Sequence, residues 1–76
     1  MKSLNISLNS IDKVKSFVNL INTFDGDFDL VSDRYVVDAK SIMGIFSLDI
    51  SNSLQLNIHD ESEFDAVSKA LAEFII

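Results

Sequence analysis

The stretch Asp38–Leu48 reads DAKSIMGIFSL, in which a mostly polar segment is followed by a short apolar run. Ser41 precedes the apolar residues, and serine is a favoured residue at the start of a helix, because its hydroxyl accepts a hydrogen bond from a backbone N–H of the first turn. Gly44 weakens such a helix by about 1 kcal/mol without necessarily breaking it. The stretch therefore predicts a short helix that Ser41 begins.

The apolar side chains of this stretch cannot all face the same way on one helix. Ile45 and Leu48 have the spacing expected of inward positions. The other three, Ile42, Met43 and Phe46, are then expected to lie partly exposed. Exposed apolar patches tend to mark protein-binding sites, and methionine adapts to partner surfaces of varied shape. The stretch thus indicates a surface that other proteins recognise.

Four segments of the chain are typical of strands. Apolar and polar residues alternate in Leu4–Leu8, Phe28–Leu30 and Leu54–Ile58, which is the period of a half-buried strand. Arg34–Val37 is rich in residues that favour strands, and Ser32-Asp33 is the expected tight turn before it, although glycine is absent there. The second and third strands are therefore expected to form a hairpin.

Two further segments have the spacing of amphipathic helices. The first follows Ser10, a candidate N-cap, and places Asp12 in its first turn; its apolar stripe comprises Val14, Phe17, Val18 and Ile21. The second follows Ser62, which with Asp65 resembles a capping box; its apolar face comprises Phe64, Val67, Leu71 and Phe74. The resulting order, β-α-β-β-α-β-α, predicts an α+β fold in which helices cover one face of an antiparallel sheet.

Length and composition narrow the classes of function. The 76 residues predict one domain spanning residues 1–76, and the absence of cysteine excludes disulfides and thiolate metal sites. Six basic residues against twelve acidic ones give a net charge of −6, which disfavours nucleic acid and anionic membrane surfaces. No apolar run approaches the roughly 18 residues of a membrane span, so we expect a cytoplasmic protein.

The element order, together with KSIMG at Lys40–Gly44 and the IFSL that follows, resembles the HPr family of phosphocarrier proteins. The resemblance runs without insertion or deletion from about Asp12 to Ile58. It implies an open-faced β-sandwich, in which three helices cover one face of a four-stranded antiparallel sheet. Members of the family accept a phosphoryl group on a histidine near the first helix. They pass it to sugar-specific transport proteins of the phosphoenolpyruvate-dependent phosphotransferase system.

The phosphate-accepting stretch of the family, which is similar to Gly-Ile-His-Ala-Arg-Pro, has no counterpart in this chain. Ser10 lies at the approximate position of the histidine and Asp12 at that of the arginine, and the chain contains no proline. A phosphoester on Ser10 would be too inert to transfer its group. Asp12 would repel the phosphoryl oxygens that an arginine binds by charge-assisted hydrogen bonds. We therefore expect no catalytic residue and no phosphocarrier activity.

The resemblance implies a regulatory role for Ser41, because in Gram-positive members the serine of KSIMG is phosphorylated by a dedicated kinase. A helix N-terminus also suits a phosphate electrostatically. The resemblance further implies that Lys40, Ile42, Met43 and Phe46 dock protein partners. These partners would be the HPr kinase, phosphotransfer enzymes or a transcription regulator. The alternative is that Ser41 only caps the helix, a role worth about 1 kcal/mol relative to alanine.

The remaining candidates for chemistry are His59 and three aspartates, Asp25, Asp27 and Asp29. His59 has the parity of a solvent-exposed strand residue, and no partner that would orient it for acid–base or phosphoryl chemistry is identifiable. The aspartates have a spacing similar to that of a calcium loop, but the glycine and the glutamate that such a loop requires are missing from their offsets. We therefore expect neither a metal nor a cofactor.

Three functions remain open. The first is a regulatory, protein-binding module that is not an enzyme and acts through Ser41 and its apolar neighbours. The second is an active phosphocarrier with an unconventional acceptor. The third is a degenerate copy whose fold survives in a structural role, including a homodimer through the Ile42–Phe46 surface.

Overall fold

A computed structural model describes all residues 1–76 and contains four strands and three α-helices, arranged as the sequence predicts. The elements are β1 (Lys2–Ile6), α1 (Ile11–Ile21), β2 (Phe28–Ser32), β3 (Tyr35–Asp38), α2 (Ile42–Phe46), β4 (Leu54–Ile58) and α3 (Phe64–Ala70). Single turns of 3-10 helix at Glu61–Glu63 and Ala72–Phe74 flank α3. None of the helices has both the length and the apolar character needed to cross a membrane.

The strands form one antiparallel sheet with the order β1-β4-β2-β3. β4 lies inside the sheet, where Leu56 pairs with Leu4 of β1 and with Leu30 of β2. Beyond β1, Ile75 forms an antiparallel bridge with Ile6, so the end of the chain covers part of that edge. The outer edge of β3 has no strand beside it.

The core lies between one face of the sheet and the three helices, which confirms the predicted open-faced α+β architecture. Sixteen buried apolar residues form a single cluster there. The predicted stripe of α1 contributes Val14, Phe17 and Ile21, while Val18 packs at the margin of the cluster. Phe17 also meets Phe74 edge to face, with ring centroids 6.0 Å apart. The amphipathic spacing therefore identified the inward face of this helix correctly.

The β2–β3 turn lies one residue later than the sequence predicts. Ser32 belongs to β2 and pairs with Tyr35, so the turn residues are Asp33 and Arg34 rather than Ser32 and Asp33. Asp33 has a φ of 52°, in the left-handed region. Aspartate tolerates this region better than most residues, because its short polar side chain can hydrogen-bond locally. An aspartate thus takes the place that glycine often holds in such turns.

The predicted capping box at Ser62 and Asp65 is wrong. Asp60 is the capping residue, and its Oδ1 accepts hydrogen bonds from the hydroxyl of Ser62 at 2.6 Å and from its backbone N–H at 3.0 Å. These hydrogen bonds, the one from the hydroxyl first, hold the pKa of the Asp60 carboxyl below its ordinary value. The cap begins the 3-10 turn, and α3 follows without a side-chain cap of its own.

We expect Asp33→Val to lower the free energy of unfolding by about 1–2 kcal/mol, because a β-branched side chain is strained at positive φ. Urea denaturation measures the change. Asp33→Asn is the matched control, since it also removes the charge but tolerates the left-handed region, and it should stay within about 0.5 kcal/mol of the parent. Equal stability of the two variants would contradict the assigned turn geometry.

Candidate functional site

The candidate site consists of α2 and the residues that lead into it, together with the start of α1. The two helices α1 and α2 contact each other. Ser41 is the N-cap of α2, as predicted. Its Oγ accepts a hydrogen bond from the backbone N–H of Gly44 at 3.1 Å. Ser41 is half-buried as a residue, and its side chain holds the first turn of the helix.

Gly44 allows α2 to lie close to β3. A Cβ at this position would sit 3.3 Å from Ser41 Oγ and 3.3 Å from the Cβ of Val37, which is tighter than ordinary van der Waals contact. The glycine that weakens the helix by propensity therefore serves packing against the sheet.

The helix itself is short. It spans five residues, little more than one turn. Because a helix dipole is the sum of aligned peptide units, α2 provides only a small part of the positive potential that a longer helix would offer a phosphate. Asp49, just beyond α2, accepts hydrogen bonds from the hydroxyl and the N–H of Ser51, and these lower the pKa of its carboxyl. An exposed carboxylate therefore follows the helix.

Lys40 is held by an intramolecular contact. Its Nζ donates to the backbone oxygen of Phe24 at 2.6 Å and lies 5.6 Å from the centre of the Phe28 ring. The loop after α1 is held at a second point, where the N–H of Gly26 donates to Oε1 of Glu63 at 3.0 Å. The Lys40 ammonium would have to leave the Phe24 oxygen before it could bind a partner. Its docking role stays a prediction.

The apolar residues of α2 divide between core and surface. Ile45 and Leu48 are buried, as their spacing predicts. Met43 is 76% exposed and Phe46 is 40% exposed, whereas Ile42 is half-buried and packs against the core. Of the three side chains expected to be partly exposed, Met43 is largely exposed, whereas Phe46 and Ile42 are partly exposed.

Sequence reasoning did not single out Ile11 as a surface residue. It is the first residue of α1 and is exposed, although it lies three residues before the buried Val14. Its spacing continues the apolar stripe and therefore gives no separate signal of exposure. The only sign of its exposure in the sequence is its position as the first residue of α1, because the first turn of a helix often extends beyond the core.

Ser10 occupies the N-cap of α1, where its Oγ accepts a hydrogen bond from the N–H of Lys13 at 3.2 Å. A shallow cavity of about 150 Å³ lies beside the start of this helix; its lining residues are Asp12, Lys13, Ser16, Glu73 and Phe74. Two carboxylates against one ammonium give the cavity a negative balance. It is therefore a poor environment for a phosphoryl group.

His59 has a partner that sequence reasoning missed. Its Nε2 lies 2.6 Å from Oδ2 of Asp29, across the neighbouring strands β4 and β2. The expectation that no residue orients this histidine is therefore wrong. Both side chains remain partly exposed. The pairing of β4 with β2 places His59 and Asp29 diagonally opposite each other. The alternation of residues within each strand does not reveal this register. No group of three or more acidic or histidine side chains is arranged to hold a metal ion.

Comparison with known proteins is consistent with this geometry. Residues 13–76 match the model of a protein family described as "PTS HPr component phosphorylation site". The matched segment includes Ser41 and begins after Ser10 and Asp12. Curated proteins gave no match.

Two solved structures resemble the chain over nearly its whole length. HPr-C-His from Thermoanaerobacter tengcongensis is 30% identical with a TM-score of 0.80; the alignment covers 96% of this chain and 89% of that one. The phosphocarrier protein HPr from Bacillus anthracis str. Ames is 30% identical with a TM-score of 0.77; the alignment covers 99% of this chain and 94% of that one.

We expect Lys40→Met to lower the free energy of unfolding by about 1–2 kcal/mol, because it removes a charged donor from the Phe24 oxygen while retaining most of the aliphatic stem. Urea denaturation measures the loss. Lys15→Met, on the exposed face of α1, is the control and should change stability by less than about 0.5 kcal/mol. If the two variants were equally stable, the contact would contribute nothing to the fold and the ammonium would be free for partners.

Proposed function

We propose, on the basis that this chain belongs to the HPr family of the phosphotransferase system, that it acts there as a regulatory protein-binding module and not as a phosphocarrier. The family's phosphocarriers are not enzymes, and we assign no catalysis to this chain. The observation that carries the proposal is the exposure of Met43 and Phe46 beside the half-buried Ser41. We expect the protein to act in the cytoplasm, where its family partners work.

The start of α1 supports the loss of phosphocarrier activity. The residue at its N-cap is Ser10, and a phosphoester there would not be transferred onward under the conditions that favour a phosphorylated imidazole. Asp12 follows in the first turn, and Glu73 shares the adjacent cavity. Both carboxylates would repel the oxygens of an incoming phosphoryl group.

The α2 surface suits protein binding because it is both apolar and fixed. Ile45 and Leu48 anchor the helix in the core, so the exposed side chains are presented on a backbone that is already ordered. A partner that covers Met43 gains on the order of 1.5–3 kcal/mol from burying that side chain. Little of this gain is offset by ordering the backbone.

Phosphorylation of Ser41 would regulate this surface. A kinase would transfer the γ-phosphoryl group of ATP to Ser41 Oγ; the new O–P bond forms as ADP leaves, and the hydroxyl proton passes to a base of the kinase. The product adds about 1.5–2 negative charges next to Met43. A phosphate oxygen can still accept the hydrogen bond from Gly44, so the cap need not be lost. Modification would then select between partners by charge.

Incubation with a Gram-positive HPr kinase and ATP should add one phosphoryl group to the intact mass of the protein, and Ser41→Ala should abolish the addition. Ser10→Ala is the matched control, because it removes the other helix-capping serine, and it should be modified like the parent. Met43→Ser should slow the reaction by roughly tenfold if the kinase docks on α2. Ile76→Ser, which alters another exposed apolar residue, should not slow it.

No added mass on the parent protein, or equal modification of the Ser41→Ala variant, would contradict regulation through Ser41. Unchanged modification of Met43→Ser would separate the two halves of the proposal, because Ser41 would remain a substrate while the docking role of α2 would be lost.

The His59–Asp29 contact favours a second candidate function, phosphoryl transfer through an unconventional acceptor. The Asp29 carboxylate at Nε2 fixes the ring and leaves Nδ1 as the other reactive nitrogen. The surroundings weigh against this function, because Asp25 and Asp27 add negative charge at the same end of the sheet. Lys2 lies opposite Ile58, the residue before His59, but its Nζ lies 4.8 Å from the centre of the Phe64 ring. The Nζ of Lys40 donates to the Phe24 oxygen, so both ammonium groups already have contacts of their own.

Phosphoenolpyruvate and the family's upstream enzyme distinguish the two candidates. We expect no acid-labile phosphate on this chain, measured by intact mass before and after acid treatment. A phosphate that is acid-labile and disappears in His59→Gln would establish the second function in place of the first.

A further inference from the structure

The outer edge of β3 is free to pair with another strand. At the opposite edge of the sheet, Ile76 donates its N–H to the oxygen of Asn5, so the chain itself closes part of that side. The N–H of Ala39 donates to Phe28 in β2. Because hydrogen-bonding directions alternate along a strand, Val36 presents its N–H and C=O away from β2, at the open edge.

The side chains along this edge are those that stabilise strand pairing. Tyr35 is 65% exposed and Val36 is 61% exposed, and both residue types favour strands. Natural edge strands are commonly protected by proline, by lysine or by like charges that repel a second copy. β3 contains no proline and no lysine. The two charged residues that flank Val36 are opposite in sign.

These charges are placed symmetrically. Arg34 lies two residues before Val36 and Asp38 lies two residues after it, and both are exposed. We propose that two copies of this chain form a homodimer by antiparallel pairing of β3 about Val36. In this register Arg34 of each copy lies opposite Asp38 of the other. Tyr35 lies opposite Val37 of the other copy, which is an aromatic and β-branched pair of the kind that stabilises sheets.

Only this register satisfies both the faces and the charges. A shift by one residue would place core-facing side chains opposite solvent-facing ones. A shift by two residues would place Arg34 or Asp38 opposite Val36, and both charge pairs would be lost. In the proposed register the N–H of Val36 in each copy donates to the C=O of Val36 in the other. The two sheets then form one continuous sheet with both helical layers on the same side.

The overall charge of −6 on each copy opposes association at long range. At physiological ionic strength the screening length is about 8 Å, so most of this repulsion is screened while the close contacts at the edge persist. The strand pairing is made by β3 itself and needs neither Met43 nor Phe46, although α2 packs against β3 beside Val37. The proposed dimer also differs from a dimer through the Ile42–Phe46 surface, which would leave the β3 edge free.

Sedimentation velocity from micromolar to millimolar protein tests the proposal at physiological ionic strength. The parent should show reversible, concentration-dependent dimerisation. Arg34→Glu and Asp38→Lys should each weaken it by roughly tenfold or more, because each replaces two attractive contacts by two like-charge contacts. An equimolar mixture of the two variants should dimerise as well as the parent does, since opposite charges meet again in the mixed dimer.

Two controls match these charge changes away from the edge. Lys15→Glu on α1 and Asp25→Lys in the loop after it alter the net charge by the same amounts and should leave dimerisation within about twofold of the parent. Val36→Pro removes the outward N–H without removing a bond to β2, so it should remain folded by circular dichroism and sediment as a monomer.

A parent that stays monomeric at millimolar concentration would overturn the proposal. A dimer that is insensitive to Arg34→Glu, or a mixture of the two charge variants that fails to recover, would also overturn it. In either case the β3 edge would not be the contact.

Discussion

The structure depends on the burial of β4 inside the sheet and beneath the helices. Leu54, Leu56 and Ile58 are all buried, and β4 pairs with β1 on one side and β2 on the other. Because side chains alternate along a strand, this burial fixes which face of all four strands meets the helices. The α2 segment follows from that arrangement, since Ile45 and Leu48 must enter the same core. The exposure of Met43 is then a geometric consequence of where its neighbours are buried.

The features that sequence reasoning predicted are those with a regular period. Alternation located β2 and β4, and it located β1 in part, since this strand spans Lys2–Ile6 and ends before Leu8. The stripe of α1 gave its buried face, and the spacing of α2 separated Ile45 and Leu48 from Met43. The errors concern single residues or contacts between distant ones. Asp33 adopts a left-handed conformation, although the turn contains no glycine that would have indicated it. Asp60 rather than Ser62 caps the final helical region. The contact between His59 and Asp29 depends on the register of two strands that are distant in sequence.

The two serine caps show how similar local chemistry can be placed in different surroundings. Ser10 and Ser41 each accept a hydrogen bond from the N–H three residues later. Around Ser10 the neighbouring groups include two carboxylates, whereas Ser41 adjoins an apolar surface with one lysine already bound elsewhere. The two sites therefore differ in the residues around each serine and not in the serines themselves. This is why the KSIMG motif is informative about α2 but says little about the start of α1.

The loop after α1 is fastened from both sides by segments remote in sequence. Lys40, which leads into α2, binds the oxygen of Phe24, and Glu63, just before α3, binds the N–H of Gly26. The loop therefore connects the residues that precede α2 with the residues that precede α3. A partner that bound the Lys40 ammonium would break its hydrogen bond to the Phe24 oxygen and so release one of the two attachments of the loop. It would thereby loosen a part of the surface that it does not touch.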